Sequence, residues 1–130
     1  MARILIVEDD RIIAADLGLK VQRLGHLVVG TASAGEEAIS MAEQSKPEIV
    51  LMDIQLETRM KGTEAAHIIQ KSTGASIIFV TAFSGAAVRD ESARLSAREI
   101  YVGKPFSRIQ LEAALDAALA QRLRRVAAPL

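Results

Sequence analysis

Five short apolar runs set the strongest constraint on how this chain can fold. They lie at residues 4–7, 27–29, 49–52, 77–80 and 100–102. None of them alternates between apolar and polar residues, which is typical of strands that are covered on both faces. The regular spacing of the runs therefore predicts a parallel sheet between two layers of helices.

Helical patterns fill the intervals between the predicted strands. Asp10 is placed to cap a first helix, while Ser33 and Ser107 begin capping-box patterns for the second and the last. The third and fourth helices are predicted over residues 63–71 and about 86–95. Since each strand is followed by a helix, we expect a single α/β domain, doubly wound with right-handed crossovers.

The position of a site follows from this predicted topology. In open parallel sheets, sites form beyond the carboxyl ends of the strands, where the strand order reverses. Five strand–helix units commonly take the order 2-1-3-4-5, which places the reversal between the first and third strands. We therefore look for functional residues directly after these two strands.

Acidic residues follow both of these strands. Glu8, Asp9 and Asp10 come directly after the first, and Asp53 directly after the third. Like charges at short range repel, so such a cluster needs raised pKa values or a cation. Oxygen ligands without nearby histidine or cysteine suit Mg²⁺ or Mn²⁺ better than zinc. We leave Asp10 out of the candidate cation site, because capping of the first helix is the better explanation for an acid at this position.

A hydroxyl and an ammonium group follow two further strands. Thr81 closes the fourth run, and Lys104 follows the fifth. Together with a metal ion and one reactive carboxylate, these groups can hold a dianionic group. Their joint placement at the strand ends predicts phosphate chemistry.

The composition excludes several classes of protein. The 16 basic residues balance 16 acidic ones, so the chain has no net charge that would attract it to an anionic membrane or to nucleic acid. We therefore predict no direct nucleic-acid binding. Without cysteine there can be no disulfide, thiolate zinc site or thiol nucleophile. No apolar stretch is long enough to span a membrane and no secretory leader precedes the first run, so we expect a cytoplasmic location.

Four stretches carry a resemblance to a known family. They are residues 4–10, 51–54, 80–82 and 104–106. In this order they resemble the receiver domains of bacterial two-component response regulators, in the single-domain, chemotaxis-regulator-like form. The resemblance implies a flavodoxin-like (βα)5 fold of strand order 2-1-3-4-5, with the receiver domain over residues 1–122 and a C-terminal tail over 123–130.

The resemblance also implies a role for each residue at the strand ends. Asp53 is the expected phosphoacceptor, which takes a phosphoryl group from the phosphohistidine of a sensor histidine kinase or histidine phosphotransfer protein. Thr81 and Lys104 are expected to bind that group. The implied Mg²⁺ ligands are Asp9 directly, Glu8 directly or through water, Asp53, and the backbone carbonyl of Gln55.

A switch and an output surface belong to the same resemblance. Thr81 and Tyr101 are the expected switch residues, and Lys104–Pro105 is the expected cis peptide bond, a cis-proline. The predicted fourth helix, fifth strand and fifth helix would form the output face and the surface of a homodimer. The downstream target is unknown. On this interpretation the chain is no enzyme and promotes only its own phosphorylation and dephosphorylation.

Three other interpretations stay open. A Mg²⁺-dependent phosphohydrolase would use Asp53 as its nucleophile, although such enzymes often carry a second acid where Gln55 stands. A flavin- or nucleotide-binding module would need Gly, Ser or Thr after the first strand, where this chain is acidic. A receiver-like scaffold that is never phosphorylated would not need the complete set of site residues. The domain could stand alone or belong to a longer regulator.

Overall fold

A computed structural model of the chain describes residues 1–56, 59–81, 100–104 and 106–127. The strands in these residues are β1 (Arg3–Val7), β2 (Leu27–Ala32), β3 (Ile49–Asp53), β4 (Ser76–Thr81) and β5 (Ile100–Gly103). The helices are α1 (Arg11–Arg23), α2 (Gly35–Ser45), α3 (Gly62–Thr73) and α4 (Arg108–Ala127). The predicted fourth helix lies outside the described residues, so α4 corresponds to the predicted fifth.

The five strands form one parallel sheet in the order β2-β1-β3-β4-β5. This arrangement confirms the predicted flavodoxin-like α/β fold and its strand order. β2 pairs with one side of β1 and β3 with the other, so the direction in which successive strands are added to the sheet reverses at β1. The carboxyl ends of β1 and β3 are therefore neighbours, as the predicted site requires.

Alternate side chains of each strand enter opposite faces of the sheet. Ile4 and Ile6 of β1 lie in a core with α1 and α4, whereas Leu5 and Val7 lie in a second core with α2 and α3. All four side chains are at most 1% exposed. Burial on both faces explains why the apolar runs lack polar alternation.

Two of the predicted helix starts are confirmed and one is wrong. Asp10 caps α1, and Ser107 forms a reciprocal capping box with Gln110. The predicted box at Ser33 is absent: Ala34 is the N-cap of α2, without a side-chain hydrogen bond. α2 begins at Gly35, one residue later than the pattern predicts, and the N–H of Ser33 donates to Oε1 of Glu37 at 3.2 Å.

The last helix continues past the predicted end of the domain. α4 has 20 residues and ends at Ala127, so the boundary at residue 122 falls inside it. The assignment of residues 123–130 to a tail stays a prediction. Among the described helices, none is long and apolar enough to cross a membrane.

Gly62 begins α3 directly against the backbone of Asp53. A Cβ atom added at Gly62 would overlap the carbonyl oxygen of Asp53 and lie 3.1 Å from its carbonyl carbon. Such contacts with backbone cannot be relieved by rotating a side chain. Glycine at this position therefore allows α3 to pack against the end of β3.

We expect Gly62→Ala to lower the free energy of unfolding by about 2 kcal/mol, because the added methyl group must displace the backbone of Asp53. Urea denaturation followed by circular dichroism measures this change. Gly103→Ala is the matched control, since a Cβ atom at Gly103 meets nothing within 4 Å. Equal losses in the two variants would contradict the close contact.

Candidate functional site

The sheet register brings the ends of β1 and β3 to the same level. Val7 pairs with Met52, so Glu8 follows β1 at the level where Asp53 ends β3. Each of these acids stands two residues after an apolar side chain in the core with α1 and α4. Strand alternation therefore sends both carboxylates toward the same face of the sheet.

Glu8, Asp9 and Asp53 form one cluster of carboxylates. An oxygen atom from each lies within 4.8 Å of the others, in a cleft of about 480 Å³. Glu8 and Asp53 are only 2% and 6% exposed, whereas Asp9 is partly exposed. The structure thus brings together the three predicted acids, and their repulsion calls for positive charge nearby.

Lys104 supplies one positive charge to this cluster. It stands two residues after Val102, which lies in the same core as α1 and α4, so the alternation of β5 continues toward the acids. Its Nζ atom lies 2.6 Å from Oε1 of Glu8 and 3.5 Å from Oδ2 of Asp53. The ammonium group therefore bridges two buried carboxylates.

Burial and mutual contacts shift the ionisation of this group of residues. Burial, together with the neighbouring Asp53, raises the pKa of Glu8 from 4.5 to about 7 despite the opposing effect of Lys104. Burial lowers the pKa of Lys104, but the hydrogen bond to Glu8 and the charge of Asp53 outweigh it, so this pKa is raised. Near neutral pH the Lys104 ammonium therefore stays charged while Glu8 is partly protonated.

Backbone groups next to the cluster hold two of the acids in place. The N–H of Gln55 donates to Oδ1 of Asp53 at 3.0 Å. Asp10 instead accepts from the N–H groups of Ile12 and Ile13 at 2.9 and 3.2 Å. Asp10 is therefore the helix cap that the sequence predicts; it lines the same cleft but is not one of the three acids whose oxygens converge.

The remaining predicted site residues are partly described. Thr81 is the last residue of β4, beside the strand that leads to Lys104. Tyr101 pairs with Phe79 across β4 and β5, and their rings stack with centroids 5.4 Å apart. Pro105 and its predicted cis bond lie outside the described residues. The switch roles of Thr81 and Tyr101 stay predictions.

Two features of the site were not predicted. Gly62 was not identified, although a glycine directly before the predicted third helix is a signal for close packing. The ion pair between Lys104 and Glu8 was not identified either, because the sequence predicted only that Lys104 binds the phosphoryl group. No local pattern indicates this ion pair, because its partners are 96 residues apart.

The donor atoms of the cluster fit a hard divalent cation. All of them are carboxylate oxygens, which Mg²⁺ prefers, and no described histidine joins the cluster. A larger groove of about 690 Å³ between α1 and β2 includes Glu8 but neither Asp9 nor Asp53. The groups that can bind a cation therefore converge in the smaller cleft.

The raised pKa of Glu8 makes stability depend on pH in the absence of divalent cations. Its contribution is fully present below about pH 4.5 and is lost as the pH rises through about 7, because the folded state holds the proton more tightly. We expect the free energy of unfolding of Glu8→Gln to be about 2 kcal/mol higher than that of the unaltered protein at about pH 8. At about pH 4 we expect the two free energies to be equal. Chemical denaturation at the two pH values measures the difference.

Glu43→Gln, which changes an exposed carboxylate on α2, is the control for this comparison. We expect it to follow the unaltered protein at both pH values. If Glu8→Gln gains no stability over the unaltered protein between about pH 4 and about pH 8, the pKa of the buried Glu8 carboxyl is not raised.

Comparison with known proteins agrees with this geometry. Residues 4–116 match the response regulator receiver domain. The chain is 38% identical over 128 residues to the transcriptional regulatory protein PdtaR of Mycobacterium tuberculosis, covering 97% of this chain and 60% of that protein. It is 35% identical over 117 residues to the phyllosphere-induced regulator PhyR of Methylorubrum extorquens, covering 89% and 43% respectively.

A solved structure shows the same likeness in three dimensions. The signal receiver domain of a modulated diguanylate cyclase from Desulfovibrio desulfuricans superposes with a TM-score of 0.87 at 30% identity, covering 96% of this chain and 98% of that one. Receiver domains bind Mg²⁺ at an acidic pocket, and an acidic cluster occupies the corresponding edge of this sheet. The match over residues 4–116 confirms the resemblance in the motifs, and the chain belongs to the response regulator receiver domains, whose general function is phosphorylation-dependent switching.

Proposed function

We propose that this chain is a phosphorylation-activated switch of a two-component phosphorelay, with Asp53 as the phosphoacceptor. The donor is the phosphohistidine of a sensor histidine kinase or histidine phosphotransfer protein. One observation carries the proposal: Asp53 is a buried carboxylate whose oxygens converge with those of two other acids beside an ammonium group. This combination suits the receipt of a phosphoryl group.

Mg²⁺ is the proposed cofactor of this site. Its proposed ligands are Glu8, Asp9, Asp53 and the backbone carbonyl of Gln55. The spacing of the three carboxylates supports the side-chain ligands, and the N–H contact to Asp53 keeps the backbone of Gln55 beside the cluster. When bound, Mg²⁺ offsets the negative charge of the acids and of the incoming phosphoryl group.

The chain's own residues orient the acceptor for transfer. The N–H of Gln55 holds Oδ1 of Asp53, and Lys104 lies beside Oδ2. A bond from phosphorus to an oxygen of Asp53 forms as the P–N bond of the donor breaks. The donor imidazole, protonated on its other nitrogen, leaves as the neutral ring. Lys104 and Thr81 then bind the new phosphoryl oxygens.

The signal is proposed to reach the output surface through Thr81 and Tyr101. Tyr101 packs partly into the core with α2 and α3 and stacks on Phe79, so its ring is placed to respond to a change on the adjacent strand. The output face comprises the predicted fourth helix, β5 and α4. The downstream target has no assigned identity, and a cytoplasmic location without direct nucleic-acid binding stays a prediction from the sequence.

Incubation with acetyl phosphate and Mg²⁺ tests the acceptor assignment. We expect intact-mass analysis to show one phosphoryl adduct that is stable to acid, labile to alkali and absent in Asp53→Asn. Asp9→Ala is expected to lose most of the adduct and at least about tenfold in Mg²⁺ affinity. Asp16→Ala, which removes an exposed carboxylate of α1, is the matched control.

Three outcomes would contradict parts of this proposal. An adduct that persists in Asp53→Asn would move the acceptor elsewhere, and the absence of an adduct with any donor would favour a scaffold. Sustained turnover of a small phosphate ester would favour a phosphohydrolase over a domain that promotes only its own phosphorylation and dephosphorylation. Unchanged Mg²⁺ affinity in Asp9→Ala would contradict its assignment as a ligand.

A homodimer through the output face is part of the proposal. Ile109 on α4 is 81% exposed, and the exposed Ala113 and Ala117 follow it on the same helical face. We expect light scattering to show dimers on phosphorylation that are weakened at least about tenfold by Ile109→Glu. Ile12→Glu, at an equally exposed position on α1, is the control. A monomer at all concentrations in both states would exclude the dimer.

A further inference from the structure

β2 lies at one edge of the sheet, and the described residues leave the outer side of this strand unpaired. Among the described strands, only β1 pairs with it. Its six residues include no charged residue and no proline. Proteins often place lysine or proline in edge strands, because an edge without them pairs readily with a strand from another chain. The edge of β2 therefore has the composition of a strand that can accept a partner.

Two residues of β2 present backbone groups to this open edge. The N–H of Leu27 and the carbonyl of Ala32 bond to the residues directly before and after β1, so both face the sheet. Backbone groups of successive strand residues point to opposite sides, so those of Val28 and Thr31 point away from β1. They are three residues apart because Val29 is an extra residue in the register with β1. Their N–H and carbonyl groups are available to a second strand.

An apolar groove runs beside β2 on the side of α1. It has a volume of about 690 Å³, and small residues of α1, including Ala15 and Gly18, line it. Leu19 lines the same groove and is 52% exposed. A large exposed side chain beside small ones makes this surface complementary to itself, because Leu19 of one copy fits against the small residues of another.

The layers of the fold allow a second copy to approach closely. α1 contacts both β1 and β2, so it lies over this pair of strands. If the β2 strands of two copies pair about a twofold axis perpendicular to the sheet, two strand spacings separate their α1 helices, which is about 10 Å. Packed helices lie roughly 8–10 Å apart, and small residues at the contact favour such an approach. Strand pairing and helix packing can therefore form together.

The charges along this edge favour an antiparallel arrangement. Glu36 and Glu37, in the first turn of α2, stand near the carboxyl end of β2, where Arg11 is an opposing charge. Arg23 in the last turn of α1 and Lys46 at the C-cap of α2 stand near the amino end. An antiparallel pair places the acids of one copy beside the bases of the other, whereas a parallel pair places like charges together.

We propose that the edge of β2 and the adjoining groove form a symmetric interface with a second copy of this chain, with antiparallel β2 strands and α1 helices in contact. The strand is about 20 Å long and the three layers about 25 Å wide, so the interface buries on the order of 1,000 Å² in total. This area is at the lower limit for a specific interface, and we expect a dissociation constant on the order of 100 μM.

This interface is distinct from the proposed output-face dimer. β2 and β5 lie at opposite edges of the sheet, so pairing through β2 leaves the output face free. The β2 interface also contains no proposed ligand of the phosphoryl group. It therefore forms without phosphorylation, and it stands or falls independently of the proposed function.

Sedimentation equilibrium of the unphosphorylated protein, from about 10 μM to about 1 mM, tests the interface. We expect Leu19→Glu to weaken the dimer at least about tenfold, because the new charge would be buried against the groove of the second copy. Ile12→Glu is the matched control, since it adds the same charge at an exposed position of α1. Ile109→Glu disrupts only the output face. We expect both of these variants to dimerise like the unaltered protein.

A change to the backbone tests the strand pairing itself. Thr31→Pro removes the N–H that faces the open edge, and proline is tolerated on the outer side of an edge strand. We expect this variant to weaken the dimer at least about tenfold. Thr31→Ala keeps the N–H and is the matched control, which we expect to dimerise within about threefold of the unaltered protein.

NMR of the unaltered protein provides a measurement that does not depend on the folding of a variant. The amide resonances of Val28 and Thr31 are expected to shift with protein concentration, because their N–H groups exchange water for a carbonyl of the second copy. The amide of Leu111, which donates to Ser107 within α4, is the internal control and is expected to stay in place.

Each outcome supports or overturns the interface. Shifts at Val28 and Thr31 that follow dimer formation, with loss of the dimer in Leu19→Glu and Thr31→Pro, support it. A monomer at all concentrations overturns it, as does a dimer of equal stability in these two variants. A monomeric protein whose Thr31 amide shifts only when a synthetic peptide of residues 25–34 is added would assign the edge to a separate strand and overturn the symmetric dimer.

Discussion

Repulsion between buried carboxylates is the interaction on which the chemistry of this domain depends. Glu8 and Asp53 end their strands beside each other with almost no exposure to water, and Asp9 adds a third acid. A cluster of buried carboxylates is stable only when protons or nearby cations offset its negative charge. Lys104 provides one such positive charge from within the chain. The site is therefore prepared for a further cation and for an anion that arrives with it.

The sheet supplies this arrangement through simple backbone geometry. Glu8, Asp53 and Lys104 each continue the alternation of a strand whose preceding side chains fill the core with α1 and α4. The sheet thus carries the clustered acids at the carboxyl ends of its strands, directly beyond the apolar side chains that fill the core. Changes to the charged residues can alter binding while the packing that positions them stays the same.

Much of the fold was predictable because its signals are local or periodic. Asp10 and Ser107 cap helices where short-range patterns indicate, and unbroken apolar runs mark strands buried on both faces. The capping box predicted at Ser33 was wrong, because α2 begins at Gly35 and the N–H of Ser33 donates to Glu37. A serine followed by two glutamates does not distinguish helix starts that are one residue apart.

The sequence by itself determined which chemical groups stand at the strand ends, because each apolar run shows where a strand stops and successive side chains of any strand face opposite sides of the sheet. Only the tertiary structure decided which of these groups touch. The ion pair between Lys104 and Glu8 and the contact of Gly62 with Asp53 depend on distances between segments that strand pairing and helix packing bring together. Differences of about an ångström select one partner over another, and no sequence pattern encodes such distances.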